Sequence, residues 1–149
     1  MIDISKLKTL IEVRNMMTNT RKHGRHDLYE IAFRRLVELQ AKKHDDPVCQ
    51  GFWRGIAAVE ELLRQEHGKA VKANRSRQKA GRVGEVVCLT DWAMRKGETK
   101  GFVMLVEAGM GDETGEYVVA AHPDRFPADA VAMARHKLLA RSVSLPVAG

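Results

Sequence analysis

The segment DPVCQGFWRGIAAVEELLRQEHG, residues 46–68, has the pattern of a helix that is central to the core. Its apolar residues recur at intervals of three and four, which places them on one helical face. Asp46 is a good N-cap, the proline after it suits the first helical position, and Gly68 is a stop signal. The apolar stripe of this predicted helix consists of Val48, Phe52, Ile56, Val59 and Leu63.

Further helices are predicted on both sides of this one, because apolar residues recur at helical spacing between glycine, proline or polar breaks. Aromatic residues make up only 5% of the chain, and a core of aliphatic side chains and alanine favours helices over sheets. The sequence therefore predicts an all-α fold, an irregular bundle of seven or eight helices. These further helices cover residues 5–18, 28–42, 69–80, 85–95, 102–107 and 116–121, with a last one that opens at Pro127.

The charge of the chain is unevenly distributed over its 149 residues, whose formal net charge is +6. Residues 1–82 hold 18 Lys/Arg against 10 Asp/Glu, whereas residues 83–149 hold 7 against 9. The length fits one ordinary domain. We therefore expect a single domain, residues 1–149, in which a basic N-terminal portion and a mildly acidic C-terminal portion share one core. The asymmetry bears on partners more than on fold.

The most one-sided segment is RQEHGKAVKANRSRQKAGR, residues 64–82, in which Glu66 is the only acid. A surface helix normally mixes the two signs, because like charges one turn apart repel. A run of this kind indicates an anionic partner, and the alternative is a strongly solvated face without a ligand. The segment carries seven cations, which are Arg64, Lys69, Lys72, Arg75, Arg77, Lys79 and Arg82.

If residues 69–80 form a helix, most of these cations lie on one face of it. That predicted face consists of Lys69, Lys72, Arg75 and Lys79, with Arg82 alongside. Asn74 and Gln78 add uncharged donors that could reach phosphates or base edges. Arg77 falls instead among the alanines, where we predict a buried and paired arginine. Its candidate partners are Glu60, Glu61 and Asp91.

A second basic patch is predicted in the loop TRKHGRH, residues 20–26. The patch consists of Arg21, Lys22 and Arg25. Gly24 lets the backbone approach an anion closely, and the N-terminus of the next helix adds partial positive charge. Asp27 is nevertheless expected to occupy that helix cap itself. An exposed interhelical turn without a ligand is the alternative interpretation.

Signals of an enzyme, a metal site or a cofactor are poor in this sequence. Cys49 and Cys88 belong to no CxxC pair, and both lie in apolar helical patterns where a free cysteine behaves as a small hydrophobe. His44 lies five residues before Cys49, but this spacing completes no recognised zinc set. Phosphate-binding glycine loops and nucleophile motifs are also missing. We therefore expect no catalytic residue, metal or cofactor.

The leading hypothesis is a small basic nucleic-acid-binding protein, with DNA favoured over RNA as its partner. A helix, a glycine-containing turn and a helix across residues 69–95 invite a helix-turn-helix interpretation. The alternative is a regulatory module that docks an acidic protein or inhibits a nucleic-acid-binding machine. A third hypothesis is an enzyme with a distributed helical active site.

A cytoplasmic location away from membranes is expected, because neither a signal peptide nor a run of about 20 apolar residues is found.

Overall fold

The computed structural model describes residues 3–147, and this part of the chain contains eight α-helices, three short 3-10 helices and no strand. The predicted all-α fold of seven or eight helices is confirmed. Between residues 3 and 147, no helix has both the length and the apolar character needed to cross a bilayer. The α-helices are α1 (Leu10–Lys22), α2 (His26–Gln40), α3 (Pro47–His67), α4 (Asn74–Val83), α5 (Glu85–Met94), α6 (Lys100–Glu107), α7 (Gly115–Ala121) and α8 (Ala128–Ala140).

The helices belong to two compact units. The first unit is Met1–Lys42 and contains α1 and α2, and the second is Lys43–Gly149 and contains α3 to α8. The boundary between the basic and the acidic portion, after residue 82, falls inside the second unit near the end of α4. The expectation of a single domain with one shared core stays a prediction.

Helix α1 begins and ends later than its sequence pattern indicates. Thr9 is the N-cap of this helix, because its Oγ1 accepts from the Glu12 amide at 3.2 Å, and the same hydroxyl donates to the Glu12 carboxylate at 2.8 Å. No glycine or proline interrupts the chain before Gly24, so the helix continues to Lys22. Gly24 then has a φ of +68°, in the left-handed region that glycine adopts more readily than other residues. The predicted range of residues 5–18 is therefore wrong at both ends.

In the first unit, α1 packs against α2 around a small apolar centre. Arg35 of α2 ties the segment before α1 to this pair, because its Nε donates to the carbonyl of Leu7 at 2.7 Å. The same guanidinium donates from Nη1 to Glu38 at 2.8 Å. The buried apolar side chains of the two helices are Val13, Met17, Ala32, Phe33, Leu36 and Val37.

Helix α3 has the boundaries and the central position that its sequence predicts. Asp46 accepts from the Val48 amide at 2.9 Å, and Gly68 ends the helix with a φ of +70°. Two glycines of α3 allow the close approach of neighbouring chain. A Cβ on Gly55 would lie 2.9 Å from the carbonyl oxygen of Glu113, a backbone atom that cannot move aside easily. The sequence of α3 thus encodes both the helix and the surface on which other segments pack.

The core of the second unit is built where α3, α5, α7 and α8 meet. Phe52 stacks on Trp92 of α5 with ring centroids 5.2 Å apart, and Trp53 meets Phe52 edge-on at 4.9 Å. Gly115, at the start of α7, lies against the same indole, since a Cβ there would be 2.6 Å from a ring carbon of Trp92. The fully buried side chains of these four helices include Val48, Phe52, Cys88, Leu89, Val119 and Leu138.

Lys137 of α8 caps the C-terminal end of α5. Its Nζ donates to the carbonyl of Trp92 at 3.0 Å and to that of Arg95 at 2.8 Å, and carbonyls at a helix end have no helical partner. The ammonium group also influences Glu116 of α7. Burial raises the pKa of the Glu116 carboxyl, and the positive charge of Lys137 partly opposes this rise.

Replacing Lys137 by methionine is expected to lower the free energy of unfolding by about 2 kcal/mol, because two carbonyls in a partly buried position lose their donor. Urea denaturation followed by circular dichroism measures this loss. The matched control is Lys96→Met, which removes an exposed ammonium group and is expected to change stability by less than about 0.5 kcal/mol. Equal effects of the two substitutions would contradict the assigned role of Lys137.

Candidate nucleic-acid interface

The basic segment, residues 64–82, does not form the helix that its pattern predicts. Helix α4 begins at Asn74 instead of residue 69, and it continues to Val83 instead of ending at residue 80. Lys69 and Lys72 therefore lie in the non-helical chain before α4. The prediction that these two lysines share one helical face with the cations of α4 is wrong.

The start of α4 is set by a contact with α3 that lies outside the local sequence. The carboxylate of Glu60 accepts from the amide of Ala73 at 2.8 Å and from Arg77 Nε and Nη2, both at 2.7 Å. The guanidinium of Arg77 also lies over the ring of Trp53, 5.6 Å from its centroid. The predicted pairing of Arg77 is confirmed, with Glu60 as its partner among the three candidates, but Arg77 is only partly buried, since its side chain is 35% exposed.

The charge of Glu60 is stabilised by these donors. Burial raises the pKa of the Glu60 carboxyl, but the hydrogen bonds from Arg77 and from the Ala73 amide, together with the nearby charge of Lys72, bring this pKa below its ordinary value. The carboxylate therefore stays ionised and anchors the first turn of α4 to α3.

Within α4, Arg75, Lys79 and Arg82 follow one another at intervals of four and three residues and so lie on one face. Lys79 is paired, because its Nζ lies 2.5 Å from a carboxylate oxygen of Asp91 on α5. Arg75 and Arg82 are exposed, and neither forms an ion pair with any residue between 3 and 147. This face of α4 thus offers two cations to solvent and uses a third to attach to α5.

We call the exposed cations of this segment the basic strip. Its members are Lys69, Lys72, Arg75 and Arg82, which are exposed and form no ion pair within the described residues. Asn74 and Gln78 are exposed as well, so the side chains of both are accessible to a ligand. The other three cations of the segment are paired with carboxylates of the same chain, Arg64 with Glu61, Arg77 with Glu60 and Lys79 with Asp91.

The second basic patch differs from its prediction. Arg21 and Lys22 lie in the last turn of α1 and not in a loop. Arg21 donates from Nη2 to the hydroxyl of Tyr29 at 3.1 Å and lies 4.8 Å from the centroid of that ring. Arg25 pairs with Asp27 at 3.1 Å. Arg25 occupies the N-cap position that was expected for Asp27, because Asp27 already lies inside α2.

The connection between α4 and α5 is a single residue. Gly84 joins the two helices with a φ of +92°, whereas Gly81, which lies between the predicted helices of residues 69–80 and 85–95, belongs to α4. The helix-turn-helix of DNA-binding proteins uses a turn of about three or four residues. The two-helix element predicted across residues 69–95 is present, but its connection is shorter than in that motif, and its contact with DNA stays a prediction.

One cluster of polar side chains was missed by the sequence analysis. The imidazole of His44, the thiol of Cys49 and the carboxylate of Glu85 offer one ligand atom each, and these atoms lie within 4.8 Å of one another. Trp53 Nε1 donates to Glu85 at 2.9 Å. His44 and Cys49 were recognised as neighbours in sequence, but no spacing rule links them to Glu85, which belongs to another helix.

Both cysteines are free and buried, as their apolar surroundings in the sequence predict. Burial is the main cause that raises the pKa of the Cys49 and Cys88 thiols.

Comparison of the chain with protein-family models, with curated proteins and with solved structures found no match. A functional conclusion therefore has to come from the residues of the chain itself.

Proposed function

We propose that this chain is a nucleic-acid-binding protein whose basic strip contacts the phosphate backbone. The observation that carries this proposal is the exposure of Lys69, Lys72, Arg75 and Arg82 without ion pairs among the described residues. Exposed cations that form no ion pair with their own chain displace counterions from the phosphates that they bind, and the release of these counterions drives nucleic-acid binding.

The internal ion pairs of the basic segment support this role, because they restrain the cations that remain exposed. The pair of Glu60 with Arg77 holds α4 against α3, and the pair of Lys79 with Asp91 holds α4 against α5. Arg75 and Arg82 project from a helix that is attached on two sides. A binding surface that is already ordered loses less conformational entropy when it binds.

The chemistry of the basic strip suits phosphates in two ways. Arginine can make two parallel hydrogen bonds to one phosphate, whereas lysine acts as a mobile point charge. Asn74 and Gln78 are exposed beside the two arginines along α4 and are able to donate to phosphates or to base edges. We therefore assign the affinity for phosphates to the basic strip, and we assign to these two amides a secondary role in contacting base edges.

A salt titration tests the proposal. We expect the logarithm of the affinity for duplex DNA to fall with the logarithm of salt concentration with a slope of about −3.5 if all four cations contact phosphates, and about −3 for single strands. Fluorescence anisotropy with labelled duplex DNA, single-stranded DNA and RNA measures these slopes.

The decisive variant is Lys72→Gln combined with Arg75→Gln, which is expected to make the slope for duplex DNA shallower by about 2. The matched control is Lys96→Gln combined with Lys100→Gln, which removes the same charge from exposed positions outside the strip. Equal slopes for the two double variants would contradict the proposal. Binding to an acidic polypeptide, with none to any nucleic acid, would favour the acidic-partner alternative instead.

A further inference from the structure

The second unit contains a compact set of metal-ligating groups at the start of α3 and α5. The ligand atoms of His44, Cys49 and Glu85 lie within 4.8 Å of one another, and His44 Nε2 lies 3.9 Å from Glu85 Oε2. In a tetrahedral zinc site, bond lengths of about 2.0–2.3 Å place neighbouring ligand atoms about 3.3–3.7 Å apart. Small side-chain rotations are therefore enough to bring the three groups around one ion.

The three ligand types select a particular class of ion. Imidazole nitrogen, thiolate sulfur and carboxylate oxygen are the ligands of zinc in proteins, whereas magnesium and calcium prefer oxygen alone. We propose that His44, Cys49 and Glu85 form a binding site for a zinc-class divalent transition-metal ion. With three protein ligands, the fourth position is left to water or to a small ligand.

The surroundings of the cluster hold the ligands in place. Trp53 Nε1 donates to Glu85 Oε2 at 2.9 Å, and the backbone amide of His44 donates to Gln50 Oε1 at 2.8 Å. Cys49, Gln50 and Trp53 all lie on the first two turns of α3, which is a rigid base for the site. Partners of this kind orient metal ligands and typically contribute about 10- to 100-fold to affinity.

Solvent reaches the site from the side of the histidine. The side chain of His44 is 39% exposed and that of Glu85 17% exposed, whereas Cys49 is buried. An ion can therefore enter from solvent and keep a water ligand, while the thiolate contacts it from the interior.

Binding changes the protonation of the ligands in a defined way. The amide of Asp46 donates to His44 Nδ1 at 3.1 Å, so in the neutral metal-free ring Nε2 carries the proton. When the ion bonds to Nε2, this proton moves to Nδ1 and the hydrogen bond from Asp46 is exchanged for one to solvent. The thiol of Cys49 releases its proton to solvent, and the thiolate bonds to the ion.

Titration of the chelator-treated full chain with zinc chloride tests the site by calorimetry, and cobalt chloride reports a cobalt–thiolate bond by its absorption. We expect one ion per chain and a cobalt–thiolate absorption band. Cys49→Ala is expected to abolish this band and to weaken zinc binding at least about 100-fold. The matched control is Cys88→Ala, a second buried cysteine, which should leave both signals unchanged.

Two further variants test the geometry without removing a buried side chain of the ligand set. His44→Asn changes an exposed residue and should also weaken zinc binding at least about 100-fold, whereas His136→Asn, at an exposed position of α8, should not. Trp53→Phe should weaken binding by about 10- to 100-fold. The proposal is overturned if no one-to-one complex forms, or if binding persists unchanged in Cys49→Ala and His44→Asn.

Discussion

Replacing Phe52 by alanine is expected to lower the free energy of unfolding by about 3–5 kcal/mol. Phe52 is only 1% exposed, and its ring lies between the indoles of Trp53 and Trp92. Truncation removes the buried ring and leaves a cavity between α3 and α5 that two indoles cannot fill without moving. A loss of this size is a large part of the roughly 5–15 kcal/mol that stabilises an ordinary domain.

Urea denaturation followed by tryptophan fluorescence measures this loss, because both indoles belong to the contact. The control is Phe52→Leu, which keeps most of the apolar volume and is expected to cost less than about 2 kcal/mol. A loss of less than about 1 kcal/mol for Phe52→Ala would show that this side chain is not at the centre of the second unit.

Replacing Arg77 by methionine is expected to destabilise the protein by about 2–3 kcal/mol. Breaking a fully buried ion pair costs about 3–5 kcal/mol, because the remaining charge has no partner. The side chain of Glu60 is 8% exposed, but that of Arg77 is 35% exposed, so solvent reduces the expected loss. The control is Lys79→Met. The partner of Lys79, Asp91, is exposed, so this substitution is expected to lower the free energy of unfolding by about 1 kcal/mol or less.

A double-mutant cycle separates the ion pair from its surroundings. We expect Arg77→Met, Glu60→Gln and the double variant to give a coupling energy of about 1–2 kcal/mol in urea denaturation. A coupling energy near zero would show that α4 is held by packing alone. If the basic strip binds DNA as proposed, the same variants should weaken that binding less than loss of the basic strip does, because Arg77 positions α4 and is not one of the exposed cations.

The pair of Glu60 with Arg77 also predicts a pH dependence with a definite sign. The pKa of Glu60 in the folded protein lies below its ordinary value of 4.5, so the stability that this carboxylate contributes is present above pH 4.5 and is lost as the pH falls through the folded pKa. Wild-type protein should therefore lose more stability on acidification than Glu60→Gln. Asp46, whose pKa Arg125 lowers to about 2 by hydrogen bonding, contributes equally to both proteins.

In Arg77→Met, this dependence is expected to weaken. Burial then acts on Glu60 without the guanidinium, so the pKa of Glu60 in the folded state is expected to rise, while the Ala73 amide and the charge of Lys72 still lower it. A smaller lowering of the folded pKa means that less stability is lost on acidification. Denaturation midpoints measured across the acidic range distinguish the two slopes.

Local signals were sufficient for the central helix. The Asp46 cap, the proline after it, the apolar spacing of α3 and Gly68 all lie within one segment, and each acts on its own immediate neighbours. The same is true of α7, where a helix is predicted at residues 116–121 and one is found at Gly115–Ala121.

The candidate site was predicted less completely, because its geometry depends on partners that are distant in sequence. Periodicity correctly separated Arg77 from the other cations, but it could not choose Glu60 over Glu61 or Asp91. It also extended α4 backward over Lys69 and Lys72, since nothing in the local sequence indicates that the Ala73 amide binds Glu60.

Composition and hydrophobic spacing were enough to establish that this chain is helical and that its cations are concentrated in one segment, because both properties belong to residues and their near neighbours. Tertiary structure decided which cations stay exposed and which are neutralised, and it brought Glu85 to His44 and Cys49. Both outcomes require helices to pack, and packing joins side chains whose separation along the chain no periodic pattern records.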